Sequence, residues 1–524
     1  MLDKQDTDEQ RNAINDNARF VSILASAGSG KTRTLVKRVV REISEFNTSP
    51  EEIIAFTFTN KAADKLKAKI YSNTADRVSE EEFVKLFVGT IHGFCNDFLK
   101  KLDKYYNFDV LDDMQLEALV YRLYDELELG TVYPYLFVAN IQRFIRDYEV
   151  YENELLDIQS VPESIRKPIQ KFCNLLYTNR MLTFGSMIRY TCSEIEELGG
   201  LEHLKHLFVD EYQDINPAQE LLIKAMVQQG SKLTVVGDDL QSIYQWRGSD
   251  ISRIISFEDD WGGESHVLPE NFRSRADIVV YADRFAKTIE PRFKAKNKTM
   301  KPVKDERSNQ NNIFWAHSQT EQEQIVLLGD LVEKAIDAGY ELRDIAILLR
   351  SVKRSAPGII RELEDNRDIR VYCPQISVVE GSIVNDMFIP LFKLISQPEP
   401  RNENEEREQD KVFNQFLRAY RILQPERTWY NKGLGVSKEW RTAIHQRKAS
   451  AYNIRYWLYK FLKESKIEFG EGSVDLLVQM GVLTRTIRAI EETNRRNIRN
   501  IRRKTPRHIY LNLAYILESQ AEET

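Results

Sequence analysis

The chain has 524 residues, 42% hydrophobic and 29% charged, with a formal net charge of −6. That length exceeds what one hydrophobic core sustains, so roughly three or four domains are expected. The composition is that of an ordinary globular protein, and the mild acidity does not exclude a polyanionic partner, because a basic track can lie inside an acidic shell. Four cysteines, Cys95, Cys173, Cys192 and Cys373, have no paired spacing. They fit a reducing compartment and give no support for a zinc or iron–sulfur site, although one bridged pair stays open. The first sixteen residues, MLDKQDTDEQRNAIND, lack the apolar core of a signal peptide. No window reaches the roughly 18 apolar residues of a membrane span, so the cytoplasm, or the nucleoid within it, is the expected location and no membrane partner is expected.

In chain order, residues 20–25 (FVSILA) predict a strand, followed by a small-residue loop and a helix running to about Phe46. Residues 51–59 (EEIIAFTFT) predict a second strand. The next segment, NKAADKLKAKI, has Ala63, Leu66 and Ile70 at helical spacing among lysines that are either a solvated face or something more specific. Residues 96–195 predict an inserted helical domain. Strands return at 204–209 and 231–236, each ending in an acidic pair, where an open α/β sheet gathers its ligands. A second α/β unit is predicted from strands at 312–316, 344–349 and 369–373 and a helix at about 321–338. Residues 396–410 (SQPEPRNENEEREQD) predict a linker or exposed loop, and the remainder to Thr524 is helical.

Residues 25–33 read ASAGSGKTR. Ala27, Gly28, Ser29 and Gly30 can wrap the backbone around phosphates with amide hydrogens pointing inward. Lys31 then faces the β and γ oxygens of ATP, and Thr32 opens the helix with its hydroxyl available to Mg²⁺. In VDEYQD (209–214), Asp210 is suited to hold the Mg²⁺ through water and Glu211 to deprotonate the attacking water. An acidic turn after a buried strand is common, but one paired with a complete phosphate loop points to hydrolysis. Charge building on the transferred phosphoryl group needs a facing cation, and Arg273 in LPENFRSR (268–275) is the candidate. On the plainer reading Arg273 and Arg275 only decorate a helix start.

These residues belong to an ordered series: EQ at 9–10, ASAGSGKTRT at 25–34, AFTFTNKAA at 55–63 and GTIHGFC at 89–95. It continues with VDEYQD at 209–214, GDDLQSIYQWRGSD at 237–250, LPENFRS at 268–274 and IAILLR at 345–350. The series resembles the superfamily 1 DNA helicases of the UvrD/Rep/PcrA kind over about residues 1–390. The resemblance implies an α/β P-loop NTPase with RecA-like parallel-sheet motor domains and large helical insertions. The first motor domain would comprise 1–95 and 196–280, the inserted helical domain 96–195, the first part of the second motor domain 281–390, and a helical insertion 391–524.

By the same resemblance, Gln10 reads adenine, Arg33 lines the nucleotide site, Gln241 senses the γ-phosphate, and Arg273 is an arginine finger. Phe272 stands where the family has a tyrosine stacked on the base. Phe58, Tyr244 and Trp246 match residues that pack against single-stranded DNA bases; such stacking tolerates any sequence. On its own, Phe58 reads equally as a core residue of its strand. Thr59, Asn60, His92, Arg247 and Arg350 lie in segments that contact the strand. The implied activity is ATP-driven movement on single-stranded DNA and at single/double-strand junctions, 3′ to 5′, with ATP and Mg²⁺ as cofactors.

Nothing in 391–524 resembles the family's later T-x-H-x-x-K-G-L segment or the segment supplying a second arginine finger. The second motor domain is therefore expected to lack strands on its open side. The missing half belongs to a longer polypeptide, or comes from a partner chain, or the protein uses ATP-dependent grip as a switch. Accordingly, an ATP-gated DNA-binding subunit of a repair or defence complex competes with the motor reading, whereas no nuclease-like cluster stands out. Residues 485–507 hold nine Arg/Lys against two Glu, either a solvated helix face or a phosphate-contacting surface.

Overall fold

The computed structural model describes residues 6–523 except 136, 228–229, 244–247, 291–297, 304–312, 374–382, 399, 468–473, 497 and 499–503. The chain divides into two compact units, one of residues 1–110 and 146–314 and the other of 111–145 and 315–524. The segment expected as one inserted helical domain, 96–195, thus contributes to both.

The first unit is built on a six-stranded parallel sheet. Its relevant elements in chain order begin with α1 (Asp8–Asn15), β1 (Phe20–Ala25), α2 (Lys31–Ser44), β2 (Ile53–Phe56), α3 (Asn60–Thr74), β3 (Phe87–Gly89) and α4 (Ile91–Lys100). After the insertion come β4 (His206–Val209), β5 (Lys232–Gly237), β6 (Glu264–Leu268), β7 (Glu270–Asn271), α5 (Ala276–Ala286) and β8 (Lys301–Pro302). The sheet order is β3-β2-β4-β5-β1-β6, and β7 pairs separately with β8.

Successive residues of these strands enter different cores. Leu24, Ile54, Phe56, Leu207, Val209, Leu233 and Val235 join one cluster. Val21, Ile23, Ile53, Ala55, Phe208 and Val236 join the other. One face is covered by α4, the helix Phe184–Glu197 and the helix Pro217–Met226; the other by α2 and α3. Both faces being dry is why each strand reads as an unbroken apolar run rather than an alternating one. The loops that leave β1, β2, β4 and β5 therefore share the carboxyl edge of one rigid sheet.

In the second unit, α6 (Glu321–Asp337) and α7 (Val352–Glu364) share a small core of Ile325, Val332, Ile359 and Leu363. Helix α6 matches its prediction, but the predicted strands do not: residues 313–316, 344–349 and 369–373 are not strands, and Asn312 lies outside the described residues. Ile345, Ile347, Leu349, Ile369 and Val371 still pack on that core. Period-two patterning thus survives without pairing, because the pattern chooses a face whereas a strand also needs a hydrogen-bonding neighbour. The charged segment 396–410 is corrected in part, since residues 397, 398 and 400–402 are irregular as expected. Residues 403–410 open a 21-residue helix, Glu403–Leu423, whose first amides are capped by Asn402 and whose first turn carries Glu403, Glu405 and Glu406. Phe392, Trp440 and Tyr510, from the helices Ile383–Ser396, Arg427–His445 and Pro506–Glu523, meet in one aromatic cluster, with Trp440 Nε1 donating to the Tyr510 hydroxyl at 2.8 Å. No helix among the described residues is long and apolar enough to cross a membrane.

Candidate nucleotide site

Between β1 and α2 the backbone is left-handed at Gly28 (φ 73°) and Gly30 (φ 88°), conformations cheap only for glycine. Sterics make the same demand. A Cβ on Gly28 would lie 2.8 Å from both Arg273 Cβ and Asn271 Oδ1, and one on Gly30 would lie 2.9 Å from Gln10 Nε2. The Phe272 amide donates to the Gly28 carbonyl at 3.0 Å. Asn271 Oδ1 accepts from the amides of Arg273 (2.9 Å) and Ser274 (2.8 Å). The segment carrying Phe272 and Arg273 is thus fastened directly to the phosphate loop, and Arg273 itself is exposed.

Helix α2 begins at Gly30 without a side-chain cap, so the amides of its first turn are not satisfied from that residue. The Ser26 and Ser29 hydroxyls are buried with no hydrogen-bond partner among the described residues. A helix start with no side-chain cap, beside orphaned hydroxyls, fits phosphate oxygens. Thr32 and Arg33 lie half-buried in that first turn, and Arg33 pairs with Asp6 at 3.1 Å. Gln10, buried on α1, accepts from the Thr7 amide at 3.2 Å and donates from Nε2 to the Ser29 carbonyl at 2.9 Å. One bond is made at each end of its amide, which by its chemistry can accept and donate once more, so reading a base does not require either bond to break.

Facing the loop, Lys31 Nζ lies 3.0 Å from Glu211 Oε2. Glu211 takes a left-handed backbone (φ 54°), a costly conformation for a side chain that long. Its neighbour Asp210 holds its own amide on the Phe56 carbonyl (2.9 Å) and receives the Glu211 amide on Oδ1 (3.0 Å). Burial first, then the Glu211 charge, pushes the Asp210 carboxyl up to about 6; Asp214 is raised to about 6 for the same two reasons. Among the described residues no three His, Cys, Asp or Glu side chains gather as a cage for a metal ion. Mg²⁺ is usually held by one or two carboxylates together with substrate phosphates, a donor set that the Asp210 carboxylate fits.

Gln213 was not singled out from the sequence, yet it joins two motifs. Its Nε2 donates to Glu211 Oε2 (2.9 Å) and its Oε1 accepts the Asp238 amide (3.0 Å). Asp238 Oδ2 in turn accepts from Gln241 Nε2 at 2.5 Å. Its position two residues beyond Glu211 was the only clue the sequence offered.

Phe58, Thr59 and Asn60 follow β2 at the same sheet edge and are all exposed, which removes the alternative of Phe58 as a core residue. Thr59 caps α3, accepting from the Ala62 amide at 3.2 Å. His92 packs edge-on against Phe184 (5.2 Å between centroids), and burial lowers its pKa. Arg350 is exposed in the second unit, and Tyr244, Trp246 and Arg247 lie outside the described residues.

A parallel sheet with a phosphate loop after β1 and an acidic pair after β4 defines a nucleotide-binding α/β fold consistent with the RecA-like P-loop class. Comparison with known proteins narrows the class. Residues 6–262 match the UvrD/REP helicase N-terminal domain and residues 266–392 the UvrD-like helicase C-terminal domain. The chain is 29% identical over 371 residues to the ATP-dependent DNA helicase PcrA of Staphylococcus epidermidis, covering 68% of this chain and 49% of that protein. For PcrA of Staphylococcus aureus the figures are 28% over 364 residues, 66% and 48%. The chain belongs to the UvrD/PcrA-like helicase family. It spans about half the length of the curated relatives it matches.

Proposed function

We propose that the chain hydrolyses ATP to ADP and phosphate and uses the cycle to grip and move along single-stranded DNA, 3′ to 5′, up to single/double-strand junctions. The observation that carries this reading is the 3.0 Å approach of Lys31 to Glu211, residues 180 positions apart, on a sheet edge that also bears exposed Phe58. The phosphate loop from Ala27 to Thr32 cradles the phosphates, Gln10 and Phe272 hold the base, and Arg33 lines the site. Lys31 sits on the β and γ oxygens, releasing Glu211 to take the proton of the attacking water. The new phosphorus–oxygen bond forms as the bond to ADP breaks, and ADP leaves with the electron pair. Arg273 stabilises the charge on the transferred group. Mg²⁺, held by Thr32 and Asp210, would neutralise charge on the β and γ oxygens. Gln241 leaves Asp238 for the γ-phosphate and so reports its presence to the segment that follows. There Tyr244, Trp246 and Arg247, with Phe58, Thr59, Asn60, His92 and Arg350, contact the strand. The place of work that goes with this substrate is the cytoplasm, at the nucleoid.

A second reading, an ATP-gated DNA-binding subunit with slow turnover by itself, is favoured by the second unit. Trp315, Leu348 and Tyr372 are more than 80% exposed beside segments that have the strand pattern and, among the described residues, no strand partners. A further strand-bearing polypeptide, continuous with this chain or separate, would cover them.

Steady-state ATP hydrolysis with and without a single-stranded oligonucleotide, with Glu211→Gln as the blank, separates the two. Strong stimulation lost in the blank supports the motor. Binding of both ligands without turnover overturns autonomous hydrolysis and favours the gated subunit.

A further inference from the structure

Lys298 is buried between two buried carboxylates. Its Nζ pairs with Asp238 and Asp239, and the side chains of all three are at most 2% exposed. A buried ammonium is costly unless paired, so its location is informative. The six residues from Lys298 to Val303 form a strap across the sheet edge. The Met300 amide donates to Asp283 Oδ1 on α5 at 3.0 Å. Lys301 and Pro302 pair in parallel with Glu270 and Asn271, with Lys301 donating to the Pro269 carbonyl (2.8 Å) and Val303 to the Asn271 carbonyl (3.1 Å). One end of the strap therefore holds the loop after β5, whose Asp238 carboxylate also holds Gln241. The other end holds β7, whose Asn271 fixes the Arg273 amide and packs against Gly28.

We propose that Lys298 is a positioning residue for ATP hydrolysis: it pins Asp238 and Asp239 so that the Gln241 loop and the Arg273 segment stand in register over the phosphate loop. The inference rests on the hydrolytic reading above, in which Gln241 and Arg273 act on the γ-phosphate. Lys298 acts through Asp238, which is linked by Gln213 to Glu211. A purely stabilising ion pair would require only charge neutrality at this point. A positioning tether also requires the bond from the strap to Asp238.

The test compares Lys298→Met, which leaves two buried carboxylates facing each other, with Lys298→Met/Asp239→Asn, which removes that repulsion while leaving Asp238 and Gln241 intact. In the full chain the double variant should melt close to wild type and keep its affinity for a fluorescent ATP analogue. Its kcat should still fall about 10- to 100-fold with little change in KM, the cost of a small misplacement at a reacting centre. A double variant that turns over at the wild-type rate would reduce Lys298 to a charge neutraliser and overturn the proposal. Hydrogen exchange of segments 238–241 and 270–274 supplies a readout independent of turnover. Both should exchange faster in the double variant, and unchanged exchange contradicts the tether. If wild type shows no hydrolysis, the hydrolytic reading fails and the tether is judged on exchange alone.

Discussion

Gly28 is the position where a single methyl group tests the site most economically. Gly28→Ala forces a left-handed backbone on alanine and drives its Cβ into Asn271 and Arg273. The strain is worth about 1–3 kcal/mol, so the melting temperature should fall by a few degrees, and as the loop shifts to relieve the clash nucleotide affinity measured by fluorescence titration should fall about tenfold. Asp210 offers a pH test. Its carboxyl is raised to about 6 by burial and by Glu211, so a metal ion must displace a proton below that pH. Apparent Mg²⁺ affinity of the nucleotide complex should drop about tenfold per pH unit below about 6. Asp210→Asn should lose both the affinity and its pH dependence. At this scale the sequence was legible where chemistry demands a residue type at fixed spacing, as for Lys31 and Glu211, which the fold brings to 3.0 Å. It was silent on Asn271, Gln213 and Lys298, whose importance lies in which backbone or carboxylate they meet across 25 to 243 residues of chain. Nothing in local composition encodes such meetings.

At the level of elements, the sheet depends on a polar cluster opposite the nucleotide edge. Glu42 at the end of α2, His206 at the start of β4 and Lys232 at the start of β5 meet there, with His206 Nδ1 3.0 Å from Glu42 and Lys232 Nζ 3.1 Å from it. Burial lowers His206 from 6.5 to about 4 despite Glu42, whereas Glu42 falls from 4.5 to about 2 because His206 and Lys232 outweigh its own burial. For both groups the unfolded chain binds more protons than the folded one. Stability from His206 is therefore complete above pH 6.5 and lost as pH falls towards 4; that from Glu42 is complete above 4.5 and lost towards 2. Asp210 and Asp214 act in the opposite sense, since their raised values favour the folded state at low pH. Denaturant melts of wild type against His206→Gln isolate the histidine. Their difference should shrink between pH 6.5 and 4 by about 1.4 kcal/mol per unit, and a pH-independent difference contradicts it. Elements covered on both faces, such as β1 and β4, were readable as apolar runs bounded by loop chemistry. Residues 344–349 carry an equally apolar run, but their strand character depends on neighbours that the local pattern cannot specify.

At the largest scale, one sheet edge of the first unit brings together Lys31 and Glu211, proposed to meet ATP, and Phe58, Thr59 and Asn60, proposed to meet DNA. Phe58→Ala should weaken single-stranded DNA binding by roughly 1–3 kcal/mol and leave ATP affinity in the absence of DNA unchanged, because Phe58 is exposed beyond β2 and the phosphate loop follows β1. Family membership was legible because the ordered motifs sit at the ends of consecutive strands, where chemistry restricts sequence most tightly. The division into two units was not, since residues 111–145 return to pack with a segment hundreds of positions later. The measurement that bears most directly on the account is the affinity of the chain for a fluorescent single-stranded oligonucleotide with and without a non-hydrolysable ATP analogue, paired with analogue affinity with and without the oligonucleotide. Coupling through Glu211, Gln213, Asp238 and Gln241 predicts that each ligand changes the other's dissociation constant by the same factor, about 5- to 150-fold, and that Gln213→Ala abolishes the change. Two affinities that ignore each other would contradict the account.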